Sequence, residues 1–305
     1  MKALLLHRKL LAAGAIWAAA LANSAVANPA VANSAVAKPA VTQERQWLVG
    51  GEAFAPLAAD PRWPRFESGL NKVLSADSVV FGESFDNLWT ASFGDTVALY
   101  SGPPPKVVGN LDRFEVGLMP ALHAVLDPFS DIEPLINADY QVGGYLAGKL
   151  GPWSAMTRVY HQSSHLGDEL LLLGPPVRRF NFSYESWDGY LSRDFDRDVR
   201  LYGGAGWIFH ETGRGDYGDL HAQYGVEWSP DVGLDGCRPI AAIDVQHLQS
   251  LDWQADLSLR VGARFQPAGG GTFDLTIHYY HGRNPFGQFY NEDFESVGVS
   301  VRFNF

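Results

Sequence analysis

The sequence predicts an all-β protein, an integral outer-membrane antiparallel β-barrel of about twelve strands. The first observation is a strict alternation of apolar and polar residues, which gives each strand one apolar and one polar face. In "SVGVSVRFNF", residues 296–305, every second residue is Val or Phe. The second observation is that such segments are about ten residues or longer, which suits a tilted membrane-spanning strand. The third is an export signal at the N-terminus.

The N-terminal residues are predicted to direct the chain to the bacterial outer membrane. Residues 1–27 form a secretory signal peptide, with a basic front, an apolar run and the small-x-small sequence Ala25-Val26-Ala27. Residues 28–43 form an Ala/Pro-rich low-complexity tether that cannot bury a core. Residues 44–76 form a Pro-rich segment outside the barrel that caps or plugs its periplasmic mouth. Residues 77–305 form the transmembrane β-barrel.

The alternation places twelve candidate strands along the chain, and an even number leaves both termini in the periplasm. The predicted strands lie near 78–86, 93–100, 113–126, 136–149, 153–166, 179–191, 199–210, 220–229, 239–249, 253–266, 272–282 and 296–305.

Composition narrows the function classes. The formal net charge is −11, so a nucleic-acid partner is not expected, and the predicted partners are outer-membrane lipids. Cys237 is the only cysteine, so neither an intrachain disulfide nor a cysteine metal cluster can form. No glycine-rich phosphate loop appears, and no cofactor is expected unless calcium binds.

The segment "RVYHQSSHLGDEL", residues 158–170, carries the candidate chemistry. Residues at i and i+2 of a strand point the same way, so His161 can serve Ser163 as a base, with His165 on the same face. A turn centred near Gly174 places Ser163 opposite Glu185 on the next strand. Asp188 then lies on the other face, and a register shift of one residue reverses this.

These residues fit ester hydrolysis. Ser163 would be the nucleophile, His161 the general base, and Glu185 or Asp188 the group that orients the imidazole. Just beyond the strand, Asp168 and Glu169 could hold a calcium ion.

The two strands of this hairpin disagree about which face meets lipid. On the first strand, Trp153 and Val159 place His161 on the lipid side. On the second, Phe182 and Tyr184 resemble a lipid side, which places Glu185 in the lumen. Two hypotheses therefore stay open. A lipid-facing cluster favours a hydrolase, whereas a lumenal hydrogen-bond network favours a narrow-pore, ligand-binding or structural barrel.

Five stretches of the chain are "FAPLAADPRWPRF", "LINADYQVG", "YHQSSHLGDE", "NFSYE" and "VRLYGGAG". They resemble DUF1207, an uncharacterised bacterial family of unknown function. This resemblance implies a shared architecture over most of the chain from about residue 54, and it names no substrate.

A narrower resemblance links the hairpin to outer-membrane phospholipase A, a twelve-stranded barrel with a His-x-Ser strand followed by a Ser-Trp-Asn string. His161-Gln162-Ser163 matches the first motif, and Ser186-Trp187-Asp188 is similar to the second. The chain has Asp188 where that family has Asn, and Ser164-His165 where that family has Asn-Gly. Outer-membrane lipid A deacylases likewise use His-x-Ser with a Glu. The resemblance implies an acyl-ester hydrolase.

Overall fold

The chain folds into a closed antiparallel barrel of twelve strands, which confirms the predicted fold class. The computed structural model describes residues 49–304 apart from 79, 83–84, 107–108, 132, 173–180, 196–197, 214–218, 231–232, 234–235 and 268–270. The predicted signal peptide, the tether and the Gly174 turn lie outside these residues. No helix among the described residues is long and apolar enough to span a membrane.

Each barrel strand pairs with its neighbours in the chain, and the first strand pairs with the last to close the sheet. The second and third strands each consist of two segments. Their breaks, at 95–96 and 119–120, lie opposite each other, and Pro120 has no N–H to donate to the ladder. The strands are β1 (Phe66–Ala76), β2 (Asn87–Gly94 and Val97–Gly102), β3 (Arg113–Leu118 and Ala121–Leu126), β4 (Leu135–Leu150), β5 (Trp153–Leu166), β6 (Phe182–Phe195), β7 (Val199–Thr212), β8 (Asp219–Trp228), β9 (Cys237–Leu248), β10 (Ala255–Phe265), β11 (Thr272–Arg283) and β12 (Asp293–Asn304).

The barrel begins earlier than the sequence predicts. The boundary at residue 77 is wrong, because β1 occupies residues 66–76 of the segment assigned outside the barrel. The strand predicted near 78–86 is also wrong, since its described residues form a turn with a single bridge between Phe81 and Phe85. Their apolar side chains are buried with Val80 in a core cluster. Lys72, on the outer wall of β1 and paired with Asp86, obscured the alternation of the true strand.

Side chains alternate between the lumen and the outer wall along the strands. On β5, Met156 and Tyr160 are buried in the lumen, whereas Trp153 and Val159 are exposed. The outer wall of the barrel is predominantly apolar, as contact with lipid requires. Its large exposed residues include Leu99, Leu118, Val142, Leu146, Trp187, Leu191, Trp207, Tyr224, Ile243, Val261, Leu275, Ile277 and Val299.

Residues 51–65 fill the lumen from the end where β1 begins and β12 ends, which we call the terminus end. Ala58 N donates a hydrogen bond to Glu227 Oε1 at 2.7 Å, and the Arg200 guanidinium donates to the carbonyl oxygens of Ala55 and Pro56. The segment therefore plugs the barrel at this end. Its apolar residues Phe54, Leu57 and Trp63 form a buried cluster with Met119, Tyr145, Met156, Tyr190 and Tyr202.

The opposite end, which we call the loop end, is closed by a hydrophobic cap. Phe81 contacts the rings of Phe289 and Phe294 edge-on, at centroid distances of 4.8 and 5.5 Å. The short helix α1 (Asp168–Leu172) contributes the fully buried Leu170. The cap comprises Val73, Val80, Phe81, Phe85, Leu88, Val125, Ile136, Leu166, Leu170, Tyr280, Phe289 and Phe294.

A polar layer lies inside the wall between the plug and the cap. Three histidines belong to it. The Nδ1 atom of His123 lies 2.9 Å from Ser92 Oγ, and Nε2 of His221 lies 3.0 Å from Asp188 Oδ1. The ring of His278 bonds to the side chain of Asn71. These contacts place the three imidazoles inside the barrel.

Candidate active site

The hairpin of β5 and β6 brings the predicted cluster together with a small change of register. His161, not Ser163, lies opposite Glu185, and Ser163 lies opposite Ser183. The observed pairing is therefore shifted by two residues from the register that a turn centred at Gly174 predicts. A shift of two residues preserves the face of every side chain, because the strand period is two.

The cluster faces outward, which settles the disagreement between the two strands. The interpretation of Phe182 and Tyr184 as lipid-facing is wrong, because both are buried in the lumen. Glu185 and Trp187 lie on the outer wall, and Trp187 is 56% exposed. His161 is on the same wall, with 43% of its side chain exposed.

His161 and Glu185 form a hydrogen-bonded pair on this wall. The Nδ1 atom of His161 lies 2.7 Å from Glu185 Oε1. A carboxylate only accepts, so this contact places the imidazole proton on Nδ1 and leaves Nε2 as the basic nitrogen. Ser163 is two residues farther along β5, roughly 6.6 Å along the strand axis. The order of groups on the wall is therefore hydroxyl, imidazole and carboxylate, the order that nucleophilic catalysis needs.

A β-bulge in β7 brings a second imidazole to Glu185. The ladder between β6 and β7 pairs Ile208 with Ser186 and then His210 with Glu185, so Phe209 is the extra residue. The Nδ1 atom of His210 bonds to Glu185 Oε2, the carboxylate oxygen that His161 does not use. Sequence alternation alone places His210 in the lumen, and no local residue pattern marks the bulge that turns it outward.

Aromatic side chains support the wall from the lumenal side. Tyr160 on β5 contacts Tyr184 on β6 at a ring-centroid distance of 6.0 Å, and Tyr184 contacts Phe182 at 5.8 Å. Ile208, the residue before the bulge, joins the same buried cluster. The three strands that carry the candidate site are therefore fixed by packing behind it, which favours a defined geometry.

Asp188 is not part of this cluster. It is 1% exposed in the lumen, and Arg158 Nε donates to its Oδ2 at 2.9 Å. Ser186 Oγ donates to its Oδ1 at 2.7 Å. The similarity of Ser186-Trp187-Asp188 to the phospholipase string therefore does not bring a carboxylate to His161.

The remaining predicted residues lie toward the loop end. His165 is exposed on the outer wall, with its ring edge-on to Tyr140 at a centroid distance of 5.7 Å. Asp168 and Glu169 occupy the exposed first turn of α1. Among the described residues, no group of three or more His, Cys, Asp or Glu side chains is arranged to hold a metal ion.

Comparison with solved structures shows the same fold in outer-membrane enzymes. Outer membrane phospholipase A from Escherichia coli aligns with a TM-score of 0.57 at 12% identity, over 82% of this chain and 93% of that chain. A calcium-bound dimer of the Salmonella typhi phospholipase aligns with a TM-score of 0.53 at 11% identity, over 81% of this chain and 92% of that chain. Likeness at such identities establishes the outer-membrane barrel fold alone.

No curated protein with which the chain was compared matches it. A family model does match, over residues 17–305, and its description is a protein of unknown function. The match covers the whole barrel and the plug that fills it. The chain therefore belongs to the DUF1207 family.

Proposed function

We propose that this barrel is a serine-type acyl hydrolase that cleaves ester bonds of outer-membrane lipids. The observation that carries the proposal is the 2.7 Å contact between His161 Nδ1 and Glu185 Oε1 on the outer wall, with Ser163 on the same face two residues farther along β5. Charged and polar side chains that face lipid are costly and are usually retained for a function. A lipid in the surrounding membrane reaches this wall without entering the plugged lumen.

The proposed reaction is acyl transfer. Ser163 Oγ attacks the ester carbonyl carbon and passes its proton to Nε2 of His161. Glu185 holds the imidazole and stabilises the imidazolium that forms. The protonated His161 returns its proton to the leaving alcohol, and a water molecule then hydrolyses the acyl-serine by the same route.

The test is hydrolysis by the refolded wild-type barrel. Mixed micelles containing a phospholipid or lipid A, each assayed with added calcium and with a chelator, should release fatty acid from at least one substrate. The comparison of calcium with chelator tests whether hydrolysis depends on calcium, the ion that Asp168 and Glu169 are predicted to hold. Wild-type protein that folds and releases no fatty acid from either lipid contradicts the proposal. It would favour a second candidate, a non-enzymatic structural or ligand-binding barrel.

That second candidate is supported by the lumen. The plug, the polar layer and the cap occupy the barrel interior, and buried ion pairs such as Arg158–Asp188 connect neighbouring strands at 2.8 Å. Such an interior stabilises the barrel without requiring any chemistry on the outer wall.

Replacing each of the two candidate carboxylates separately distinguishes their roles. Glu185→Gln should lower hydrolysis by about a hundredfold, because the orienting charge is lost while the shape is kept. Asp188→Asn should leave the activity of the folded protein unchanged and lower its stability by about 1–3 kcal/mol, since Arg158 loses its buried anion. Fatty-acid release and urea unfolding, measured on both variants, check this. Equal loss of activity in both variants would contradict the assigned register.

A further inference from the structure

We propose that His210 is a positioning residue that fixes the carboxylate of Glu185 so that Glu185 can orient His161. This role rests on the proposed hydrolase function and extends it beyond the three groups that the sequence predicts. The carboxylate of Glu185 has two oxygens, and each bonds to the Nδ1 atom of a different imidazole. One imidazole is on the preceding strand β5 and the other is on the following strand β7.

A β-bulge in the backbone of β7 produces the contact between His210 and Glu185. Without the bulge, the residue opposite Glu185 would be Phe209, and His210 would face the lumen. With the bulge, Phe209 and His210 are both exposed on the outer wall, and Glu211 returns to the buried side. Bulges often redirect a side chain beside a functional site, and this one exchanges an aromatic ring for a hydrogen-bond donor.

A second donor matters because of where Glu185 lies. The carboxylate faces outward on a wall whose neighbouring residues, Trp187 and Trp207, are exposed and apolar. A carboxylate with one free oxygen in such surroundings would turn toward water or headgroups at the membrane surface, and its side chain would leave His161. Because His210 bonds to Oε2, Oε1 stays on the imidazole of His161.

The experiment measures labelling of Ser163 by an alkyl fluorophosphonate in the refolded full chain. In this reaction Ser163 Oγ forms a bond to phosphorus, fluoride leaves, and the serine proton passes to His161. The rate constant at saturation reports activation of the hydroxyl, and the half-saturating concentration reports binding of the alkyl probe. Mass spectrometry identifies the labelled residue, and heat-modifiable migration on a gel reports the folded fraction.

His210→Leu should lower the saturating rate constant about tenfold and leave the half-saturating concentration unchanged, because a hydrogen bond to a charged group is lost. His210→Asn should recover most of the rate, since its amide nitrogen stands close to the position of Nδ1. The matched control is His281→Leu, which removes another exposed imidazole from the outer wall, on β11. That variant should label at the wild-type rate.

A double variant tests whether His210 acts through Glu185. Glu185→Gln combined with His210→Leu should label no more slowly than Glu185→Gln alone, because the second change removes support from a group already lost. Wild-type labelling at Ser163 with an unaffected His210→Leu variant overturns only the role of His210, as does a further tenfold loss in the double variant. A folded wild type that is not labelled at Ser163 overturns the hydrolase and this role together.

Discussion

Replacing Ser163 with alanine is expected to lower lipid hydrolysis by at least about a thousandfold while the barrel still folds. The nucleophilic hydroxyl and its base act as a unit, so His161→Ala should lose about as much activity, and the two losses should not add. The stability effect should be small, because Ser163 lies on the outer wall, partly exposed, and a surface substitution usually changes stability by about 0.5 kcal/mol or less.

The control for this prediction is Ser164→Ala on the same strand. Ser164 is 2% exposed in the lumen, where its Oγ donates to Asn137 Oδ1 at 3.0 Å. The neighbouring serines therefore face opposite sides of one wall. Loss of the Ser164 hydroxyl should lower stability and leave activity unchanged, whereas loss of the Ser163 hydroxyl should do the reverse. Fatty-acid release normalised to heat-modifiable protein measures the activity, and urea unfolding measures the stability. If Ser163→Ala retained full activity, Ser163 would not be the nucleophile.

The alternation of apolar and polar residues predicts the barrel, because this single periodicity identifies each strand and its two faces. From β4 onward the wall alternates as expected, and the predicted faces of His161, Ser163 and Glu185 relative to one another are confirmed. The predicted register was wrong by two residues because it depended on where the long connection between Leu166 and Phe182 was centred. The error did not separate the cluster, since an even shift keeps each residue on its face.

Two features could not be predicted from the sequence for physical reasons. Aromatic residues fit both the lipid-facing and the lumenal side of a barrel wall. The sequence therefore predicts Phe182 and Tyr184 on the lipid side, although both pack inside the barrel. The bulge at Phe209 depends on how three strands fit together, and no local residue pattern requires it. The role of His210 follows from that bulge, so only the three-dimensional structure places it in the site.

The first strand could not be recognised from the sequence because charged residues occur on both of its faces. In β1 the inward residues include Glu67, a carboxylate deep in the barrel, and the outward ones include Lys72. A charged residue on each face removes the apolar periodicity that identifies a strand. Glu67 is tolerated inside because Arg65 and Arg260 contact it there.

Replacing Glu67 with glutamine is expected to produce the largest loss of stability in the barrel, about 3–5 kcal/mol. Arg260 donates to both carboxylate oxygens of Glu67, at 2.9 and 3.0 Å. Arg302 Nε donates to Oε2 at 3.1 Å, and Arg65 Nε lies 3.2 Å from the same oxygen. All four side chains are at most 8% exposed. The neutral amide would leave three buried guanidinium groups without their shared anion.

Urea unfolding in lipid vesicles, followed by tryptophan fluorescence, measures this effect. The matched control is Asp86→Asn, which breaks the ion pair with Lys72, where both side chains are about half exposed. An exposed pair contributes about 1 kcal/mol or less, so the control should unfold close to wild type.

Glu67→Gln combined with Arg260→Gln should recover part of the loss, because one unpaired charge is removed with the carboxylate. A Glu67→Gln barrel as stable as the Asp86→Asn barrel would show that water compensates the arginines, and that the lumen is wetter than its packing indicates. A large loss would instead confirm that Glu67 is the shared anion of the three arginines, of which Arg65 belongs to the plug and Arg260 and Arg302 to the wall.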